Sequence, residues 1–238
     1  LKPATVRHAL EVLRRLSNFA TKHNLCSGIR FVIEMPKVNN LMTENLTPEE
    51  YNRLENLLDE EKDIQAANLL RFALFTGMRR GELFKLKWKD INFNTKIILI
   101  RDPKSGLDET IPINEIALSV LDKHPKTESE FVFPGLGGNQ RKTTPRPLRR
   151  VIKKAGLNNF RPFHGLRHAY ASTLASSGKV DLYKLQKLLT HKSPLMTQRY
   201  AHLSNDALME ASNVISDLTK SHQNITELDE LKIGKGES

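Results

Sequence analysis

The chain has 238 residues, of which 39% are hydrophobic, and it carries a formal net charge of +10 at pH 7. This length allows one or two domains with a packed core, and so basic a chain most often meets a polyanion, with nucleic acid the first candidate. The single cysteine, Cys26, excludes an internal disulfide and indicates a reducing compartment, and no apolar run is long enough to span a bilayer, which excludes a membrane partner.

The N-terminal segment predicts one amphipathic helix. Residues 5–25 carry apolar side chains at helical spacing, with basic residues between them. One such helix cannot bury its apolar face alone, and the chain begins at Leu1 rather than at a methionine. We therefore interpret residues 1–34 as the C-terminal remnant of a helical domain in a longer protein. Residues 35–46 are polar and without periodicity, which is typical of a linker.

A second domain is predicted over residues 47–220. Thr47 suits a helix N-cap, Pro48 the first helical position, and Glu50 completes a capping box. Strands are predicted at 97–100 and 110–113, joined by a turn that contains Lys104, with a short third strand at 131–133. Further helices are predicted at 63–75, 80–86, 148–155, 164–177, 181–189, 194–200 and 205–219. The fold class is therefore mainly α with a small antiparallel β-sheet, ending in a mobile tail over residues 221–238.

Side chains suited to phosphodiester chemistry are concentrated between residues 164 and 200. His164 and Arg167 share a helix face at a spacing of three, and His191 precedes the predicted helix that carries Tyr200. Arginine can hold a phosphate through two parallel hydrogen bonds, histidine can move a proton near neutral pH, and tyrosine can act as a covalent nucleophile. Taken singly, each histidine is more often a buried structural residue. His168, beside two alanines, is predicted to be structural.

Two further cations lie earlier in the chain. Arg79 follows Gly77 at a helix junction, where the backbone can approach an anion closely, and Lys104 could be delivered to a groove by the hairpin. Each also has a simpler interpretation, a solvated basic face for Arg79 and a solubilising turn lysine for Lys104. Glu82, one turn after Arg79, either orients that arginine by an ion pair or is solvated, and the sequence leaves both open.

In combination these residues resemble the tyrosine recombinase family, also called phage-type integrases. The matching pieces are Thr76-Gly-Met-Arg79-Arg-Gly-Glu82-Leu, Lys104-Ser-Gly, Ile111-Pro-Ile, His164-Gly-Leu-Arg167-His168 and His191 with Tyr200. The resemblance covers roughly residues 47–205 and implies that family's catalytic domain, preceded by the end of its core-binding domain. One departure is Thr190, where the family usually has glycine before the histidine.

The resemblance also implies a role for each of these residues, and elementary chemistry agrees with it. A tyrosine with a pKa of about 10 is ionised in roughly one molecule per thousand at pH 7, so a nucleophilic tyrosine needs assistance. Arg79 and Arg167 would stabilise charge on the phosphate oxygens. The remaining roles are a hydrogen bond to those oxygens from His191, protonation of the leaving 5′ oxygen by Lys104, acceptance of the tyrosine proton by His164, and attack by Tyr200. The implied product is a 3′-phosphotyrosyl enzyme, formed without metal, ATP or another cofactor.

The sequence thus predicts a site-specific DNA recombinase, an integrase of a phage or other mobile element. A type IB topoisomerase-like enzyme and a DNA-binding regulator without catalysis are the alternatives. Expected partners are double-stranded DNA, further copies of the chain in a homotetramer on DNA that is monomeric when free, and DNA-bending accessory proteins. A cytoplasmic, nucleoid-associated location follows. The predicted DNA contacts, chosen for their basic charge, are Lys85, Lys87, Lys89, Arg141, Lys142, Arg146, Arg149, Arg150, Lys153 and Lys154.

Overall fold

A computed structural model of the chain describes residues 1–38, 45–101, 107–158 and 160–204. It divides into two compact units, Leu1–Met42 and Thr43–Ser238. The first unit contains helix α1 (Pro3–Lys22), which starts with a proline at its first position. None of its residues is buried, and the apolar stripe that includes Leu13, Leu16 and Phe19 is exposed.

The second unit is built around a buried helix. Its described helices are α2 (Pro48–Asp59), α3 (Ile64–Thr76), α4 (Arg80–Lys85), α5 (Glu115–Asp122), α6 (Arg146–Lys154), α7 (Pro162–Ser176), α8 (Leu182–Leu188) and α9 (Pro194–Gln198). Helix α3 is apolar on nearly all sides because α5 and α7 both pack on it. The capping box predicted at Thr47 is confirmed, since the backbone N–H of Glu50 donates to its hydroxyl at 3.2 Å and its own N–H donates to the Glu50 carboxylate at 2.9 Å.

The sheet has three antiparallel strands in the order β1 (Ile91–Asn92), β2 (Ile97–Ile100) and β3 (Glu109–Pro112). Ile98 pairs with Ile91 on one side and with Ile111 on the other, and all three side chains are buried. The prediction of a mainly α fold with a small antiparallel sheet is therefore confirmed. The turn between β2 and β3, with Lys104, lies outside the described residues, as do the predicted helix at 205–219 and the tail.

The prediction of a strand over residues 131–133 is wrong. Phe131 makes a single isolated bridge with Lys87, and the backbone N–H of Val132 donates to the carbonyl of Leu86 at 2.9 Å. Val132 and Phe133 are buried, and the Phe133 ring lies against Phe72 of α3. The apolar run therefore reflects core packing by an irregular segment, which periodicity over so few residues cannot distinguish from a strand. Helix α5 was not predicted.

Candidate active site

Gly77 shapes the first part of the site. It ends α3 in the left-handed conformation with φ +62°, and a Cβ at this position would lie 2.4 Å from the ring of Tyr170. Only glycine tolerates both conditions. The Gly77 carbonyl consequently accepts a hydrogen bond from Nη1 of Arg167 at 2.7 Å, which ties the end of α3 to the middle of α7.

Arg79 immediately precedes α4 and is held by two partners. Its Nη1 and its backbone N–H each donate to a Glu82 carboxylate oxygen at 2.8 Å, and the side chain of Glu82 is only 8% exposed. Nη1 also donates to the hydroxyl of Thr190 at 2.5 Å, and Nη2 donates to its carbonyl at 2.9 Å. The ion-pair interpretation of Glu82 is therefore the correct one.

Arg167 reaches the same region from α7. It is 8% exposed, and its Nη2 donates to the carbonyl of Leu189, the residue before Thr190. Burial, followed by the charge of Arg79, lowers the pKa of Arg167 to about 10, while Glu82 and Tyr200 act to raise it. Arg167 thus remains cationic at neutral pH. Two guanidinium groups, one from the residue before α4 and one from α7, converge on the backbone that leads into His191.

Thr190 stands where the resemblance leads us to expect glycine, and its backbone conformation is one that favours glycine. Its φ is +48°, in the left-handed region that disfavours a β-branched side chain. It follows the last residues of α8, and its N–H donates to the carbonyl of Lys187 at 2.9 Å, as in a helix C-terminal turn. In this chain the threonine hydroxyl accepts a hydrogen bond from Arg79, which a glycine has no side chain to accept.

His191 is neutral over the whole physiological pH range. Burial, followed by the charges of Arg167 and Arg79, lowers its pKa to about 3. Its Nδ1 lies 2.8 Å from the hydroxyl of Thr197 in α9. When that hydroxyl donates, the ring proton is on Nε2, which can then donate to a phosphate oxygen.

Tyr200 is buried, with 2% of its surface exposed. Its hydroxyl lies 2.6 Å from Nδ1 of His168, and Nε2 of His168 lies 2.9 Å from Nε2 of His164. His168 was predicted to be structural. It is buried, but its contact with Tyr200 was not predicted, although its i, i+4 spacing from His164 could have indicated that the two imidazoles meet.

A basic cavity of about 670 Å³ opens beside these groups. Its charged and imidazole lining comes from Arg79, Arg80, Glu82, Lys85, Arg101, Arg149, Arg161, His164 and Arg167. Among the described residues of this lining, Glu82 alone is acidic, and it is paired with Arg79. Such a cavity is suited to a multiply charged anion.

The predicted DNA contacts fall into two groups. The exposed ones are Lys85, Lys89, Lys142, Arg146, Arg149, Arg150, Lys153 and Lys154. Of these, Arg150 pairs with Glu61 at 2.9 Å. Lys87 is less exposed, because it pairs with Glu130 at 2.9 Å and lies over the ring of Phe131.

Arg141 is less exposed than most of the other predicted DNA contacts. Its guanidinium donates to the carbonyls of Phe133 and Pro134 and to the side chain of Gln65, and burial lowers its pKa. These donors satisfy acceptors within the chain and so close the loop after Phe133. A DNA contact by Arg141 stays a prediction.

Residues 44–206 match the model of the phage integrase family. The chain belongs to the phage integrase family. The tyrosine recombinase XerA of Pyrococcus horikoshii is 31% identical over 186 residues, covering 75% of this chain and 64% of the relative. The integrase of Salmonella phage P22 is 30% identical over 202 residues, covering 79% of this chain and 51% of the relative. The chain thus spans less than two thirds of the length of either of these relatives.

Solved structures of family members share the fold. The crystal structure of XerA recombinase is 26% identical with a TM-score of 0.59, covering 84% of this chain and 72% of that one. The structure of XerH site-specific recombinase bound to palindromic difH substrate, a post-cleavage complex, is 22% identical with a TM-score of 0.70, covering 91% and 68%. Among the described residues of this family member, no helix is long and apolar enough to cross a membrane, and no three His, Cys, Asp or Glu side chains are grouped to hold a metal.

Proposed function

We propose that the chain cleaves and rejoins DNA at specific sites through a 3′-phosphotyrosyl intermediate, as the integrase of a phage or other mobile element. The observation that carries this proposal is the convergence of Arg79 and Arg167 on the backbone before His191, beside a basic cavity. Both guanidinium groups contact residues 189–190, so their separation is fixed by one short segment. A fixed pair of cations is what a phosphorane-like transition state requires.

The chemistry assigns one step to each group. The Tyr200 oxygen attacks phosphorus, its proton leaves toward His164, and the bond from phosphorus to the 5′ oxygen breaks. Arg79 and Arg167 offset the charge on the non-bridging oxygens, and the neutral His191 donates to one of them from Nε2. Lys104, which lies between β2 and β3 in the sequence, protonates the leaving oxygen. Rejoining is the reverse of these steps, and the phosphotyrosyl bond conserves the energy that it needs.

Double-stranded DNA is the proposed substrate and partner, in a cytoplasmic, nucleoid-associated setting. Helix α6, which contributes Arg149 to the cavity wall, carries five exposed basic residues, Arg146, Arg149, Arg150, Lys153 and Lys154. Phosphate contacts from this helix would supply sequence-independent affinity that weakens with salt. DNA-bending accessory proteins would then supply any bend in the DNA that this chain cannot impose by itself.

Assembly into a homotetramer on DNA is proposed from the sequence after Tyr200. Residues 205–219 carry apolar side chains at spacings of three and four, which predicts a helix with one apolar stripe. Such a helix can fold back in the free monomer or dock on a neighbouring copy, and head-to-tail docking would close a ring. Synapsis is measured as slowly migrating multimeric complexes on a native gel. Truncation after His202 should reduce the amount of these complexes more than it reduces binding to a single site. Equal synapsis by the truncated chain would remove this helix from assembly.

The proposal is tested by trapping the covalent product. A pool of short nicked duplexes of randomised sequence is incubated with the chain, and adducts that survive a denaturing gel are sequenced to identify the preferred site. Tyr200→Phe should bind the selected duplex and form no adduct. An adduct at normal yield would contradict the assignment of Tyr200 and move it to Tyr183 or Tyr170.

The same duplex separates the alternatives. A DNA-binding regulator would bind it and give no adduct with the unmodified chain. A type IB topoisomerase-like enzyme would form adducts and relax a supercoiled plasmid without requiring a selected site. Recombination between two plasmid-borne copies of the selected site, together with adducts that depend on Tyr200, is the result that we expect.

A further inference from the structure

Tyr200, His168 and His164 form a continuous chain of polar contacts from the interior to the surface. The Tyr200 hydroxyl is 2.6 Å from Nδ1 of His168, and the other ring nitrogen of His168 is 2.9 Å from Nε2 of His164. The two imidazoles are nearly perpendicular, at 82°, with centroids 4.5 Å apart. His168 is 4% exposed, whereas His164 is exposed and lines the basic cavity.

These contacts define one consistent set of tautomers for the neutral groups. If the Tyr200 hydroxyl donates to Nδ1 of His168, that ring carries its proton on Nε2. Nε2 of His168 then donates to Nε2 of His164, which must carry its own proton on Nδ1. Every proton in this series of three side chains therefore points from the buried phenol toward the exposed imidazole. This orientation is the one required to move a proton outward.

We propose that His168 is a catalytic residue, the inner half of a two-imidazole relay that removes the proton of Tyr200; this inference rests on the proposed function. As the bond from the tyrosine oxygen to phosphorus forms, the hydroxyl proton passes to Nδ1 of His168. The proton on Nε2 of His168 passes to Nε2 of His164, which becomes an imidazolium and releases a proton to solvent. The leaving 5′ oxygen receives a separate proton from Lys104, so charge and atoms balance.

A second buried histidine shows what a purely structural contact looks like in this fold. His124 places one ring nitrogen 3.3 Å from the amide of Asn68 and the other 2.8 Å from the carbonyl of Val132. Neither partner takes up a proton at neutral pH, so His124 can only bridge two elements. The ring nitrogens of His168, in contrast, meet a phenol and a second imidazole, and both of these groups exchange protons.

The local fold explains why the relay needs two rings. His164 and His168 are one turn apart on α7, which spans the distance between the cavity and the buried tyrosine. Gly165, between them, is crowded by Phe160, since a Cβ there would lie 2.6 Å from that ring. This close packing keeps the first turn of α7, and with it His164, beside the cavity.

The test uses the full chain and the nicked duplex selected by adduct trapping. His168→Asn retains an acceptor close to the position of Nδ1 but cannot pass a proton onward. Single-turnover cleavage should slow by about 10² or more, the range of general acid–base catalysis. The same variant is then made with a fluorinated tyrosine at position 200, whose phenol ionises more readily, and the defect should shrink at least about tenfold because less of the barrier depends on the base. His124→Asn is the matched control, and it should lower stability without slowing cleavage by the folded protein.

Each outcome decides the question. Faster cleavage by His168→Asn would show that His168 holds the tyrosine back, and an equal defect with both phenols would show a structural role; either overturns the relay. A comparable defect in His124→Asn would also overturn it. If the rate of adduct formation does not depend on His168, the relay is refuted and the proposed function still stands. A wild-type chain that forms no adduct with any duplex in the pool overturns both.

Discussion

Thr190 offers the sharpest test of how the site is held together, because two opposing effects meet at one residue. Its φ of +48° places a β-branched side chain in the left-handed region, which costs about 1–2 kcal/mol. Against this, its hydroxyl accepts a hydrogen bond of 2.5 Å from the charged Arg79, and such a bond to a charged group contributes about 1.5–3 kcal/mol. Thr190 is 7% exposed, so water is poorly placed to replace the lost hydroxyl.

Three substitutions separate the two effects. Thr190→Ser keeps the hydroxyl and should change the free energy of unfolding by less than about 0.5 kcal/mol, the range for mutations that break no special feature. Thr190→Ala loses the hydrogen bond while keeping most of the strain, so a loss of about 1.5–3 kcal/mol is expected. Thr190→Gly loses the hydrogen bond but relieves the backbone strain, and the greater entropy of glycine in the unfolded chain cancels part of that relief. A smaller loss of stability, about 1–2 kcal/mol, is therefore expected.

Urea denaturation of each variant, alone and combined with Arg79→Ala, measures these differences. The double-mutant cycle should give a coupling of about 1 kcal/mol or more between Thr190 and Arg79. Single-turnover cleavage should follow the same order, with Ser close to wild type and Gly and Ala slower, because Arg79 loses an anchor. A Gly variant that is as stable as wild type and cleaves equally fast, or a coupling near zero, would refute the reasoning.

The remaining predictions concern the proposed cations, the metal requirement and pH. Arg79→Ala and Arg167→Ala should each slow cleavage by about 10²–10³, as loss of one oxyanion donor does, and Lys substitutions should also be poor because the bidentate fork is lost; wild-type adduct rates in either Ala variant would remove that arginine from the site. Cleavage should continue in EDTA, and a loss that magnesium restores would contradict the proposed mechanism. The pKa of His191 is lowered to about 3, so below its unfolded value of 6.5 the unfolded state binds a proton that the folded state does not, and stability should fall as pH drops from about 6.5 to 5. His191→Asn should flatten this fall, measured as urea midpoints, although His124, whose pKa burial also lowers, keeps part of it; an unchanged slope would show that His191 is not held neutral.

Local patterns in the sequence were sufficient for the elements and for the list of candidate residues. The capping box at Thr47 and the position of β2 follow from interactions and preferences within a few residues, so they could be predicted without the fold. The order of Arg79, Arg167, His191 and Tyr200 along the chain likewise sufficed for the resemblance to the family. The segment 131–133 was mispredicted because its apolar side chains are explained by Phe72, a residue distant in sequence.

The arrangement of the site was decided only by tertiary structure. Whether Glu82 was an ion-pair partner or a solvated carboxylate depended on its burial. The contacts of Arg141 with Gln65 and with the backbone near Phe133 likewise follow from the fold and not from its basic charge. The contact between Tyr200 and His168 joins residues 32 positions apart, and no local spacing encodes it. Sequence determines which groups are present and their local conformation, whereas burial and long-range packing determine which donor meets which acceptor, and therefore which protons and charges each side chain can use.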